Sequence, residues 1–284
     1  MKRVLVSARD GYALAAYRFD PAGPPRASIV IAPAMAVPQS FYAPFATYLA
    51  TQGYAVWTLD FRGIGESLQG SLRHLKADLS DWLNLDYEAV LHAAAEALPD
   101  RALFVVGHSF GGQAAPLLPS RERLSGLVNI AVGSGSLRHN TPRIRRSAPF
   151  MWYLLAPLLC PLFGYFPGAR LGVVGDLPSG AMFQWRRWCL TPEYLLSGEP
   201  GARAAYASAE YPVLALTFAD DELLLEAGSR LLHQAYLRRP ADYRVIEPQQ
   251  VGMPRIGHFG FFKSASEKTL WPIVTEWLAQ FPES

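Results

Sequence analysis

One stretch restricts this chain more than any other: Leu103-Phe104-Val105-Val106-Gly107-His108-Ser109-Phe110-Gly111-Gly112. Four apolar residues suited to a buried strand run straight into a G-x-S-x-G turn, and an apolar helix-forming stretch leaves it, ending near Leu118 before Pro119. A serine at so tight a strand-to-helix turn sits in strained backbone, and glycine two residues to either side lets strand and helix approach. The turn lifts Ser109 Oγ above the edge of a sheet, at a helix N-terminus where peptide dipoles favour an anion. The pattern predicts a nucleophilic serine; a tight turn carrying a chance serine is the bland alternative.

The flanking sequence has the rhythm such a turn needs. Short apolar, β-branched runs over 29–31, 55–59, 103–106 and 127–132 alternate with helical stretches over 41–52, 79–98 and 110–118. Continuous apolarity marks strands buried on both faces, hence a largely parallel sheet. Two further strands, 3–7 and 13–19, flank Asp10-Gly11 and read as an opening hairpin. The rhythm fails over 134–208 and returns with a strand at 213–217, a helix over 222–235, a strand at 243–247 and a helix over 269–281. The reading is one α/β core, 1–133 and 209–284, interrupted by a helical insertion over 134–208.

Composition supports a folded core of that size. Of 284 residues, 50% are hydrophobic and only 18% charged, which excludes a disordered chain. A net charge of +2 gives no electrostatic reason to expect a nucleic-acid partner. Cys160 and Cys189 are too few for a disulfide framework or a four-thiolate zinc site, and fit a reducing compartment. The N-terminus lacks the apolar stretch of roughly 7–15 residues that a signal peptide needs, so a cytoplasmic location is expected. Residues 150–166 are almost wholly apolar, but they fall short of the ~20 that span a bilayer and contain Pro157, Pro161 and Gly164. Prolines break regular helix, so a buried or lid segment is expected rather than a membrane span. Arg138, Arg143, Arg145 and Arg146 precede it as a solvated basic face. Trp185 and Trp188 are read either as a wall over the pocket or as buried packing.

A serine hydroxyl needs a base, and the base needs an orienting acid. After the strand at 213–217 come Asp220-Asp221-Glu222, and after the strand at 243–247 comes Gly257-His258-Phe259-Gly260. Only His233 and His258 follow the acids, and His233 falls within a helical stretch. His258 is therefore expected as the base. Developing negative charge on a substrate oxygen needs donors, normally the amide after the nucleophile and one from the loop after the third strand. Phe110 would supply the first. In Ala32-Pro33-Ala34-Met35, Pro33 has no N–H, so Ala34 is expected as the second donor, with Met35 adjacent.

These residues resemble the α/β-hydrolase superfamily over essentially the whole chain. Asp60-Phe61-Arg62-Gly63-Ile64-Gly65-Glu66-Ser67 is similar to its D-x-R-G-x-G-x-S loop. The strings 254–262 and 163–168 resemble a bacterial subgroup near the monoglyceride-lipase and serine-aminopeptidase groups. The family acid closes a G-x-x-D pattern; Phe218-Ala219-Asp220-Asp221 stands there without the glycine and points to Asp221. Ala32-Pro33 replaces the frequent His-Gly of the family's oxyanion loop. The resemblance implies an eight-stranded, mostly parallel sheet with helices on both faces and a helical cap. It also implies a serine hydrolase acting through Ser109, Asp221 and His258; a carboxylic ester is expected because an alkoxide leaves more easily than an amine, and a small or medium apolar acyl group because residues 150–166 offer apolar walls. No cofactor or metal is expected, and the expected partner is a small acyl substrate. Oligomeric state is left open, a homodimer included. An acyltransferase using the same residues and a non-catalytic binding protein are the rival readings.

Overall fold

The computed structural model describes residues 1–282. In chain order the strands are β1 Lys2–Ser7, β2 Ala13–Phe19, β3 Ser28–Ala32, β4 Ala55–Leu59, β5 Leu103–His108, β6 Gly126–Ile130, β7 Tyr165–Phe166, β8 Leu177–Pro178, β9 Val213–Phe218 and β10 Asp242–Ile246. Eight of them form one sheet in the order β1-β2-β4-β3-β5-β6-β9-β10, while β7 and β8 make a separate small hairpin. β2 pairs antiparallel with both β1 and β4, and the remaining neighbours pair in parallel. The expected eight-stranded, mostly parallel sheet is what forms.

The residue types explain the layering. β3, β4, β5, β6 and β9 are buried along their whole length, as continuous apolar strands covered on both faces must be. One face packs the helical stretch 79–97 and Phe110–Ala114 around Trp82, Tyr87 and Phe110. The other packs the helices Ala43–Thr51 and Trp271–Leu278 around Phe45, Phe261 and Trp271. Burying both faces leaves the carboxyl ends of the central strands as the open rim where a ligand site can form.

The Asp60–Ser67 loop after β4 is structural. The Asp60 carboxylate accepts from the amides of Gln39 at 2.7 Å and Glu66 at 2.9 Å. Arg62 is clamped between buried Asp86 at 2.7 Å and Asp10 at 2.6 Å. This ties the loop to the long helix and to the first hairpin.

Between β6 and β9 the structure departs from expectation in one respect. Residues 142–163 form a single helix that runs on through Pro149, Pro157 and Pro161: Pro142–Phe150, a π turn at Met151–Leu155, then Ala156–Phe163, closed by Gly164 with φ 79°. Pro142 sits in the first turn, where a missing N–H costs little, and the wider π turn precedes Pro157. Nor is the segment simply buried: Met151, Trp152, Ala156 and Cys160 face inward, while Phe150, Tyr153, Leu154, Leu158 and Leu162 lie in solvent. The helix after β9 starts later than expected, at Glu226, because residues 220–225 are held as a loop. Thr141 and His139 brace that loop, through Thr141 Oγ1 to the Glu222 carbonyl and Leu225 N–H to the His139 carbonyl, both at 2.8 Å.

Candidate active site

Ser109 stands between β5 and the helix Phe110–Ala114 with φ 48° and ψ −112°, a conformation that a side chain rarely adopts. Its amide donates to the Ile130 carbonyl of β6 at 3.0 Å, which helps hold the turn. A methyl group at Gly107 would run into the Gly112 backbone, and one at Gly111 into the Ala32 carbonyl. The glycines thus allow the close strand–helix approach that the motif implied.

Each of three consecutive acids after β9 holds part of the His258 loop. Asp221 Oδ2 lies 2.7 Å from His258 Nδ1, both side chains being 3% exposed. Asp221 Oδ1 accepts the amides of Leu223 at 2.8 Å and Leu224 at 3.0 Å, fixing the carboxylate. Because a carboxylate facing Nδ1 accepts, Nδ1 carries a proton, and in the neutral imidazole Nε2 is the nitrogen with the lone pair. Asp220 turns the other way and accepts the amides of Ile256 at 2.9 Å and Gly257 at 3.0 Å. Glu222 accepts the His258 amide at 2.9 Å and pairs with Arg255 at 3.3 Å.

The serine and the histidine open onto one cavity of about 310 Å³ at the carboxyl rim of the sheet. Met35, Phe110, Ile144, Met151, Trp152, Trp185, Tyr194, Leu223 and Leu224 also line it, so its walls are mainly apolar. Trp185 walls the cavity and stands edge-on to Trp152, with ring centroids 4.9 Å apart. Trp188 is buried packing beside Phe110, its indole N–H bonded to Glu199 at 2.9 Å. Cys189 also lines the cavity as a free thiol whose ionisation burial pushes well up; Cys160 is likewise free. His233 is buried against β6 and does not line the cavity, its Nδ1 donating to the Ser229 carbonyl at 2.8 Å and its Nε2 against Asn129 at 3.1 Å.

The two expected donors after β3 differ. Ala34 N–H donates to the Tyr42 hydroxyl at 2.8 Å and is already engaged. The amides of Met35 and Phe110 have no hydrogen-bond acceptor among the described residues, and both residues line the cavity beside Ser109.

The sequence model of the family described as serine aminopeptidase, S33, matches residues 23–159, a span that includes Ser109 but neither Asp221 nor His258. A soluble variant of monoglyceride lipase from Saccharomyces cerevisiae, solved in complex with a substrate analog, has a TM-score of 0.70 to this chain. The two are 16% identical, over 99% of this chain and 96% of that one. The chain has the α/β-hydrolase fold. An esterase domain from Rhodothermus marinus has a TM-score of 0.63 to this chain at 17% identity, with 98% of each chain covered. Est1E from Butyrivibrio proteoclasticus, with ferulic acid bound, has a TM-score of 0.64 at 15% identity, again covering 98% of each. No curated protein sequence gives a significant match.

Sequence reasoning missed a buried relay beside this site. The Tyr42 hydroxyl lies 2.8 Å from His108 Nδ1, and His108 Nε2 lies 3.0 Å from the His258 carbonyl oxygen. The carbonyl can only accept, so Nε2 carries the proton and Nδ1 accepts from the tyrosine, which in turn accepts from Ala34. Burial keeps the His108 imidazole well below the ordinary histidine range, and hence neutral, and raises the Tyr42 phenol. Nothing local to Tyr42 signals this. Its partners lie 66 residues away in β5 and, through His108, 150 residues further on in the His258 loop.

Proposed function

We propose that this protein is a serine hydrolase of carboxylic esters with small or medium apolar acyl groups. The observation that carries the reading is the meeting of Ser109 and His258 at one apolar cavity, with His258 Nδ1 bonded to Asp221 at 2.7 Å. The esterases and the monoglyceride lipase among its structural neighbours support an ester over an amide.

Ser109 Oγ attacks the carbonyl carbon and His258 Nε2 takes the hydroxyl proton, as the Nδ1–H tautomer allows. The carbonyl π pair moves onto oxygen, where the Met35 and Phe110 amides receive it; Ala34, engaged by Tyr42, serves to shape the loop instead. The tetrahedral adduct collapses as the bond to the leaving alkoxide breaks and His258 returns its proton to that oxygen. Water then attacks the acyl-serine, giving a proton to His258, and collapse releases the acid and restores Ser109. Asp221 keeps the imidazole in the useful tautomer and stabilises its cation.

In this reading residues 134–208 are the cap, and 1–133 with 209–284 the catalytic core. The inner face of helix 142–163 walls the acyl side of the cavity through Ile144, Ala148, Met151 and Trp152. The two buried free thiols support a reducing location, the cytoplasm.

The test is covalent labelling with a fluorophosphonate. Wild-type protein should label and hydrolyse p-nitrophenyl esters, and Ser109→Ala should do neither. Absence of labelling in folded wild-type protein would leave a binding module. Product partitioning towards an added alcohol over water would make the enzyme an acyltransferase.

A further inference from the structure

Helix 142–163 is apolar on two sides at once, which water alone does not favour. Its inward side is occupied by Met151, Trp152, Ala156 and Cys160, all buried. Its outward side carries Phe150, Leu154, Leu158 and Leu162, four residues apart and 57%, 49%, 57% and 61% exposed, with Tyr153 beside them at 62%. Spacings of three and four residues place them on one stripe, about 18 Å long from first to last. A helix apolar all round belongs to a deep core or to lipid, and contiguous exposed apolar patches of this kind mark interaction surfaces. Among the described residues no protein group covers this stripe.

The charge pattern around the stripe selects the partner. Arg143 and Arg146 continue the same row towards the helix N-terminus, and Arg145 and Arg138 lie beside them, all four exposed. None of the four forms an ion pair among the described residues. Residues 134–175 contain no aspartate or glutamate at all. Arg186 adds a further cation, its guanidinium 5.5 Å from the centre of the Tyr153 ring. A second copy of the chain would bring the same arginines against this patch and repel it unless they were displaced. An anionic lipid surface satisfies both halves, since its acyl boundary takes the leucines and its phosphates take the guanidiniums.

We propose that the outward face of helix 142–163 docks this protein in the plane of an anionic bilayer surface. Phe150, Leu154, Leu158 and Leu162 enter the interface, and Arg143, Arg145 and Arg146 lie among the lipid phosphates. The helix does not cross the membrane; no helix among the described residues is long and apolar enough to do so. Docking in this orientation turns the wall of the Ser109 cavity towards the lipid. The surface itself does not depend on Ser109 acting as a nucleophile.

The test is co-sedimentation of the full chain with sucrose-loaded vesicles of phosphatidylcholine, alone or with a third of the lipid as phosphatidylglycerol. Wild-type protein should sediment with the anionic vesicles at low salt, more weakly at high salt, and least with phosphatidylcholine alone. Leu154→Glu with Leu158→Glu should lower the partition coefficient by at least tenfold. Arg143→Gln with Arg145→Gln and Arg146→Gln should lower it on anionic vesicles by on the order of a hundredfold, each basic residue near such a surface being worth about fivefold. None of these side chains lines the Ser109 cavity, so circular dichroism, thermal midpoint and turnover of a soluble ester should match wild type. Wild-type protein left in the supernatant with anionic vesicles at low salt overturns the proposal. So does binding that the leucine substitutions leave unchanged, and so does a dimer that Leu158→Glu dissolves in protein that never sediments with lipid.

Discussion

His108 Nε2 donates to the backbone carbonyl of His258 across 3.0 Å, in a site where His108 is fully buried. The residue before the serine thus holds the backbone of the residue proposed as its base. Through Tyr42 the same imidazole reaches the Ala34 amide, so the loop after β3, the turn after β5 and the loop after β10 share one hydrogen-bonded chain.

That chain gives the first prediction. His108→Phe preserves bulk but strands the Tyr42 hydroxyl and the His258 carbonyl, at a cost of about 1–3 kcal/mol for each buried group. We expect a lower thermal midpoint and a kcat for p-nitrophenyl esters reduced on the order of tenfold to a hundredfold, with the protein still labelled by a fluorophosphonate. Unchanged kcat together with an unchanged midpoint would show that the relay positions nothing.

The acids should separate by role. Asp221→Asn removes the partner that sets the His258 tautomer and should lower kcat by a factor on the order of 10⁴. Asp220→Asn keeps one acceptor for the Ile256 and Gly257 amides and loses the other, so its cost should be far smaller, about 1–3 kcal/mol, and appear mostly in stability. Steady-state kinetics and urea melts of the two variants decide it. The reverse ranking would overturn the assignment and move the orienting role to Asp220.

Cavity size gives a third expectation. With mainly apolar walls and about 310 Å³ of space, each methylene of an acyl chain buried there is worth roughly 0.8 kcal/mol. Across a p-nitrophenyl ester series, kcat/KM should climb about threefold or more per carbon from acetate to a medium chain, then fall once the cavity is full. A steady decline from acetate onward would mean that acyl groups do not occupy this cavity.

Acid stability should carry the signature of a buried histidine away from the site. Burial pushes His233 down to about 4, and protonation would set an Nε2–H against the Asn129 amide group. The unfolded chain, with an ordinary histidine near 6.5, binds the proton first. Stability from this group is therefore complete above about pH 6.5 and is lost as pH falls towards 4, by about 3 kcal/mol in full. His108 contributes with the same sign. His233→Gln should flatten part of that slope in urea unfolding across the window, and an identical slope in the variant would reject the assignment.

Local rules were enough for much of this protein. Continuous apolar, β-branched runs marked the central strands covered on both faces, and the Asp10-Gly11 turn marked the opening hairpin, so the sheet was legible. A serine between glycines at a strand-to-helix turn can sit in one geometry, so Ser109 was legible too. The order of acid and histidine after it pointed to His258 and to the acids at 220–222, because few other candidates follow the turn, and the family resemblance alone pointed to Asp221. What tertiary structure decided were relationships between residues far apart in the chain, where no local preference operates. Asp220 and Asp221 are chemically identical neighbours, and only the path of the 220–225 loop sends one to His258 and the other to the amides of Ile256 and Gly257. Ala34 was the natural donor on paper until a tyrosine eight residues on took its N–H. Residues 150–166 are apolar enough to be read as buried, but a helix has two sides and the core needs only one. Which side it takes, and what is left facing outward, depends on packing that sequence spacing does not contain.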